Sequence, residues 1–249
     1  ITFTSKDGYE FTKKELLMTT DDYPADMSNH VRDPKIFKKN EKYYMVLGAR
    51  DVEGVGMILL YESTDLKNWT YKNRITTPQK FGYMWECPDL FEMDGQLYII
   101  CCPQGVETQG IDYENVHQVT AMKLDYDFDT DEYEITDIKL FDRGFDFYAP
   151  QSFETEDGRR VHISWMGMPD CEEYTNPTIA EGWQHCFTFP REVFVEDGKV
   201  CQRPVRELQK RKTFVDKSTG MLKKDGYKVY DVNISGIQNN EFRTVIDEE

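Results

Sequence analysis

Glu86 lies in the stretch MWECPDLF, between Trp85 and Cys87 and two residues ahead of Pro88. A carboxyl group in apolar company holds its proton to higher pH, the property a general acid needs. A second carboxylate, Asp33, follows Arg32 and precedes Pro34 in HVRDPKIF. A third cluster, Asp146-Phe147-Tyr148, stands ahead of Pro150 in FDFYAPQSFE. Together these groups suit a sugar: aromatic faces pack on C–H surfaces, while carboxylates and arginine take the hydroxyls. Singly, each has an ordinary reading. An aspartate before proline is most often a turn-former, a glutamate at a strand start is solvated, and a strand tryptophan is core.

The spacing of these groups changes that balance. DPKIF, CPDLF and APQSF all read Pro-x-x-Phe, with prolines at 34, 88 and 150. After each comes a turn or short polar stretch and then an apolar run: Tyr44–Leu47, Leu97–Ile100 and Val161–Trp165. Self-similarity at about this period, with several strands per unit, predicts the blades of a β-propeller. Equivalent positions of successive blades meet around the central axis. Arg32-Asp33, Trp85-Glu86-Cys87 and Asp146-Phe147-Tyr148 are therefore expected at one place.

The remaining patterning agrees. EKYYMVLGAR, GMILLYES, GQLYIICCP, HQVTAMKLDY, RRVHISWMG and REVFVEDGKVCQRP read as short strands. Asp-Gly pairs in EMDGQ, TEDGR and VEDGK supply hairpin turns. Helical periodicity is confined to one short possibility, residues 205–212, after Pro204. DYDFDTDEYE alternates acids as a calcium loop does, yet lacks the required glycine and bidentate glutamate, so a solvated hairpin is expected. After residue 208 the Pro-x-x-Phe signal stops. The reading is a propeller over 1–208, a linker over 209–224 and the unfinished opening of a second β domain over 225–249.

The 249 residues carry a formal net charge of −16, which argues against nucleic acid and anionic membrane and suits a neutral small molecule or oligosaccharide. No apolar run approaches the roughly 20 residues that span a bilayer. Six dispersed cysteines without a C-x-x-C pair read as reduced thiols of a cytoplasmic protein, and no metal or other cofactor is expected.

With HVRDPKIF, YMWECPDLF, FDFYAPQSFE, ISWMG and GWQHCFTFPREV…CQRPVREL in this order, the chain resembles glycoside hydrolase family 32, the β-fructofuranosidases. The resemblance runs from about Val31 to Leu208. It implies an all-β fold, a five-bladed propeller followed by a β-sandwich, and retaining hydrolysis of sucrose, sucrose 6-phosphate or fructans. It also implies Glu86 as the acid/base and Asp33 as the transition-state stabiliser. Arg32, Trp85, Cys87, Tyr148 and Trp165 would bind substrate. The family's nucleophile, an aspartate in Asn-Asp-Pro-Asn-Gly, has no counterpart, since Asp-Pro occurs once and follows Arg32. The opening ITFTSKDGYEFTKKELLMTT resembles the end of a preceding blade, as LLYESTDLKNWTYK ends the next. A fragment lacking most of the first blade, and inactive alone, is the expectation. A related five-bladed hydrolase of arabinan or xylan, and a fructoside-binding propeller without turnover, are the alternatives. A 6-phosphate on the glucosyl unit would need basic residues near the pocket mouth, for which His185, Arg191 and Lys80 are candidates.

Overall fold

A computed structural model describes residues 1–171 and 176–211, with side chains through 208. The linker and sandwich expected over 209–249 fall almost wholly outside the described residues. Among the described residues, thirteen strands form three antiparallel sheets. The first holds β1 (Met27–Lys39), β2 (Lys42–Asp51), β3 (Gly56–Ser63) and β4 (Thr70–Ile75) in chain order. The second holds β5 (Met84–Met93), β6 (Gln96–Gln104), β7 (Thr120–Tyr126) and β8 (Tyr133–Leu140), again in order.

The third sheet repeats the plan with one break. β9 (Tyr148–Glu154) pairs with β10 (Arg160–Met166), and the next position is shared by β11 (Cys186–Phe187) and β12 (Arg191–Glu196). Pro190 has no N–H to give the ladder between them, and Thr188 bridges the gap through its N–H to Ser164 O at 2.9 Å and its Oγ1 from Ser164 N at 3.1 Å. β13 (Lys199–Pro204) closes the sheet through the Glu-Asp-Gly-Lys hairpin. Three consecutive up-and-down sheets of this kind are propeller blades. Among the described residues the three blades do not close into a ring; the expectation was a five-bladed propeller whose first blade is largely absent from this chain.

Both faces of the inner strands are buried, so they read as continuous apolar runs with no visible alternation. The period of two is still there. In β6, Leu97, Ile99 and Cys101 pack toward the first blade with Tyr44, Ile58 and Trp85, whereas Tyr98, Ile100 and Cys102 pack toward the third with Phe147, Tyr148 and Val193. The far face of the first blade, Met45, Leu47, Met57 and Leu59, is covered by Met18, Tyr23 and Met27.

The opening segment is a hairpin rather than the single strand expected: Thr2 bridges Glu15 and Ser5 bridges Phe11. Its turn repeats the β3–β4 turn bond for bond. Ser5 takes the N–H of Gly8, and Asp7 those of Tyr9 and Glu10. Ser63 takes the N–H of Leu66, and Asp65 those of Lys67 and Asn68. The helical possibility after Pro204 is a 3-10 helix, Arg206–Arg211. The acid-rich 125–134 segment is the β7–β8 hairpin, its Asp127 accepting from the N–H groups of Asp129 and Thr130 while Asp131 pairs with Lys72.

Candidate active site

The first strand of each blade is broken at the same place. Register slips between Arg32 and Lys35 in β1, between Glu86 and Asp89 in β5, and opposite Ile163–Trp165 in β9. The residue before each proline takes a positive φ: Asp33 at 61°, Cys87 at 48° and Ala149 at 49°. Left-handed backbone is uncommon outside glycine, and a residue before proline is ordinarily extended. A bulge re-aims the side chains beside it, and here three of them turn the residues ahead of the prolines toward one another.

Glu86 is the meeting point. Its Oε1 accepts from Arg32 Nε at 2.9 Å and Nη2 at 2.6 Å, a bond from the first blade to the second. Its Oε2 accepts from the Tyr148 hydroxyl at 2.7 Å, out of the third blade, and from Gln104 Nε2 at 3.0 Å. Arg32 is steadied by His30, whose Nδ1 lies 3.0 Å from Nη1. Burial, then the neighbouring Cys102 thiol and the bond to Glu86, raise the Tyr148 hydroxyl far above the ordinary tyrosine range, so it stays a donor.

Asp33 is held from the second blade. Its Oδ2 accepts from Cys87 N–H at 2.9 Å, with Cys87 Sγ at 3.6 Å, and its Oδ1 has no protein donor among the described residues. Deeper in, Lys35 ties all three blades: its Nζ donates to Ser152 O at 2.5 Å and lies 3.7 Å from the buried Asp89, which accepts from Ser152 N–H at 2.7 Å. Trp165 lies edge-on to Tyr148, ring centroids 6.3 Å apart, and to His185 at 5.1 Å. Arg32, Asp33, Glu86, Cys87, Tyr148 and Trp165 are thus brought to one neighbourhood.

Trp85 is not among them, which corrects its reading as a substrate contact. Its indole is fully buried between the first two blades and donates Nε1–H to Phe81 O at 2.7 Å. Successive strand residues point to opposite faces, so Trp85 cannot also shelter the carboxyl of Glu86. The apolar surroundings expected for Glu86 are instead a ring of donors. Trp85 fixes β5 from behind: a Cβ on Gly48 would come 2.2 Å from its carbonyl oxygen, and one on Gly56 would come 2.5 Å from its ring. The three candidate phosphate residues are likewise not one cluster. Arg191 bonds Asp142 at 2.6 Å, His185 lies edge-on to Trp165, and Lys80 lies by Arg50.

The model of the glycosyl hydrolases family 32 N-terminal domain matches residues 1–204. The chain belongs to glycosyl hydrolase family 32. Among its curated relatives, a sucrose-6-phosphate hydrolase of Staphylococcus xylosus is 36% identical over 225 residues, 90% of this chain and 44% of the relative. One of Salmonella typhimurium is 41% identical over 190 residues, 74% of this chain and 41% of the relative. The chain therefore spans less than half the length of these relatives. Among solved structures, the Bombyx mori GH32 beta-fructofuranosidase BmSUC1 is 32% identical with a TM-score of 0.75, over 85% of this chain and 45% of that one. The sucrose-6-phosphate hydrolase of Lactobacillus gasseri is 34% identical with a TM-score of 0.73, over 82% and 42%.

This family 32 chain also uses residues that its sequence did not single out. Gln104 ends β6, and strand pairing sets Glu86 opposite Cys102, which brings Gln104 past the carboxylate. His30 and Lys35 flank Arg32-Asp33 two residues to either side of that pair's members. For them a signal existed: i and i+2 residues share one strand face.

Proposed function

We propose that this protein is the propeller part of a retaining hydrolase that removes terminal β-fructofuranosyl residues from sucrose, sucrose 6-phosphate or fructans. The observation that carries the reading is the convergence of Arg32, Gln104 and Tyr148, from three blades, on the single carboxylate Glu86. The names of the relatives support the substrate class. In this reading Glu86 protonates the departing glycosyl oxygen and later deprotonates water. The open oxygen of Asp33 takes fructosyl hydroxyls beside the developing oxocarbenium ion, and Trp165 packs on the sugar. Retention also needs a nucleophile roughly 5–5.5 Å from the acid/base. The Asn-Asp-Pro-Asn-Gly motif is absent from these residues, so the chain alone is expected to release no fructose.

The chain divides into Ile1–Gln209 and Lys210–Glu249, a boundary beside residue 208, where the propeller is read to end. A cytoplasmic location is supported by the six cysteines, all free. No helix among the described residues is long and apolar enough to cross a membrane.

The test is an extended chain, in which a family 32 segment bearing the nucleophile motif precedes Ile1. Proton NMR of the first-formed product from sucrose should show β-fructofuranose. An α product would mean inversion, as in the arabinan and xylan alternative, and binding without product would mean a sugar-binding propeller.

A further inference from the structure

We propose that Lys35 and Asp89 are positioning residues for the acid and base steps, an ion pair that holds the three bulges in register and so sets where Glu86 stands. The inference rests on the fructoside reading above and deepens it. Arg32 and Tyr148, bonded to Glu86, form one tier across the blades. Three residues further along each strand lies a second tier of Lys35, Asp89 and Gln151. Its centre is the cation. Lys35 Nζ reaches Gln151 Oε1 at 3.4 Å and Ser152 O at 2.5 Å in the third blade, and lies 3.7 Å from Asp89 Oδ2 in the second. Asp89 Oδ2 completes the triangle by accepting from Ser152 N–H at 2.7 Å. Every bulge, with its residue of positive φ, falls between the two tiers. A left-handed residue ahead of proline persists only where its surroundings over-determine it. Tied at both ends, no bulge can slide along its strand without breaking a contact of one tier.

The pair is better suited to fixing geometry than to adding stability. Asp89 is 1% exposed, and its Oδ1 is buried without a hydrogen-bond partner among the described residues. A buried charge with an unsatisfied oxygen is unfavourable, and apolar side chains of similar volume often pack at least as stably. The blades already meet through apolar seams on both faces of β6. Those seams are non-directional: they bring the sheets together without fixing which residue faces which. An ion pair with backbone hydrogen bonds does fix it. Arg160 is the further cation at this tier. Its Nη1 donates to Ser152 Oγ at 2.9 Å and its guanidinium lies 4.3 Å over the Phe91 ring. It joins the second and third blades, and Lys35 brings in the first.

The test uses the extended chain with two substrates, sucrose and 4-nitrophenyl β-fructofuranoside. Nitrophenolate is a stable anion and departs without a proton, whereas the sugar alkoxide of sucrose needs one from Glu86. A displacement of about 1 Å can cost a hundredfold in rate. Lys35→Met and Asp89→Asn should therefore each lower kcat/KM for sucrose at least about tenfold and that for the nitrophenyl substrate less than about threefold. The double variant should lose little more than the worse single one, because the two residues act as a unit. Circular dichroism should show the variants folded, since the apolar seams remain. If Lys35→Met does not fold, Asp89→Asn carries the test, being isosteric and keeping an acceptor for Ser152 N–H. An equal fall on both substrates, unchanged kinetics, or loss of the fold in both variants would overturn the positioning role and leave the fructoside reading standing. A parent that turns over neither substrate would overturn both.

Discussion

Glu86 is defined by its donors. Arg32 occupies one carboxylate oxygen, and Tyr148 and Gln104 share the other. A hydrogen bond to a charged group is worth about 1.5–3 kcal/mol, roughly ten- to a hundredfold in rate where it acts on the reacting group. In the extended chain, Tyr148→Phe should lower kcat for sucrose by about that factor with little change in KM. Gln104→Leu should do the same to a smaller extent, since its bond is longer and Tyr148 remains. Steady-state kinetics of the two variants checks both. A rise in KM at constant kcat would assign these residues to sugar binding instead of to the carboxylate. At this scale the sequence was partly legible. Asp33, Glu86 and Tyr148 were visible because each stands ahead of a proline at a repeated interval. Trp85 was misread although its position beside Glu86 in a strand already put the two on opposite faces. Gln104 left no trace, because only the β5–β6 register brings a strand-end glutamine to the site.

The strands position these residues through two devices, a bulge and a close approach. The bulges explain why β1, β5 and β9 were harder to recognise than their neighbours. A proline inside a run argues against a central strand unless the ladder is already interrupted, and Pro34, Pro88 and Pro150 all sit at such interruptions. By contrast Gly56–Ser63 and the Arg191–Pro204 hairpin were legible to the residue, being continuous apolar or Asp-Gly-linked runs. The close approach is at Gly48, where a Cβ would press on the backbone oxygen of Trp85. Forcing a methyl group into a filled interior costs about 1–3 kcal/mol. Gly48→Ala should therefore destabilise the chain by that amount, read as a lower urea midpoint, and should disturb Glu86 as well, since it moves β5. A neutral midpoint would mean that β2 and β5 are less tightly apposed than this fold requires.

The described residues form a run of blades sharing two apolar seams, and one buried titratable group among them links stability to pH. His162 is fully buried between Phe141 and Phe147, bonds Gln202 at 2.9 Å, and has its pKa pushed down by burial to about 4. Above the ordinary histidine value of 6.5 the imidazole is neutral both folded and unfolded, so it has no effect on stability. As pH falls below 6.5 the unfolded chain takes up a proton that the folded chain refuses until about 4, and stability falls across that window. The full loss is roughly 3 kcal/mol. Thermal melting should therefore show a falling midpoint from pH 6.5 to 4, and His162→Gln should flatten it. An unchanged slope would assign the acid sensitivity to other groups.

The repeated hairpins, the three bulges and the three-blade convergence on Glu86 support the proposal that this carboxyl group performs the acid and base steps of fructoside hydrolysis. Its most direct test is fructose release from sucrose by the extended chain, with and without Glu86→Gln. The account predicts ready release by the parent and a loss of about a hundredfold to ten-thousandfold in the variant. Activity in the variant within a few-fold of the parent would contradict it. So would fructose release by the unextended chain, which would mean that the nucleophile is already present in these 249 residues.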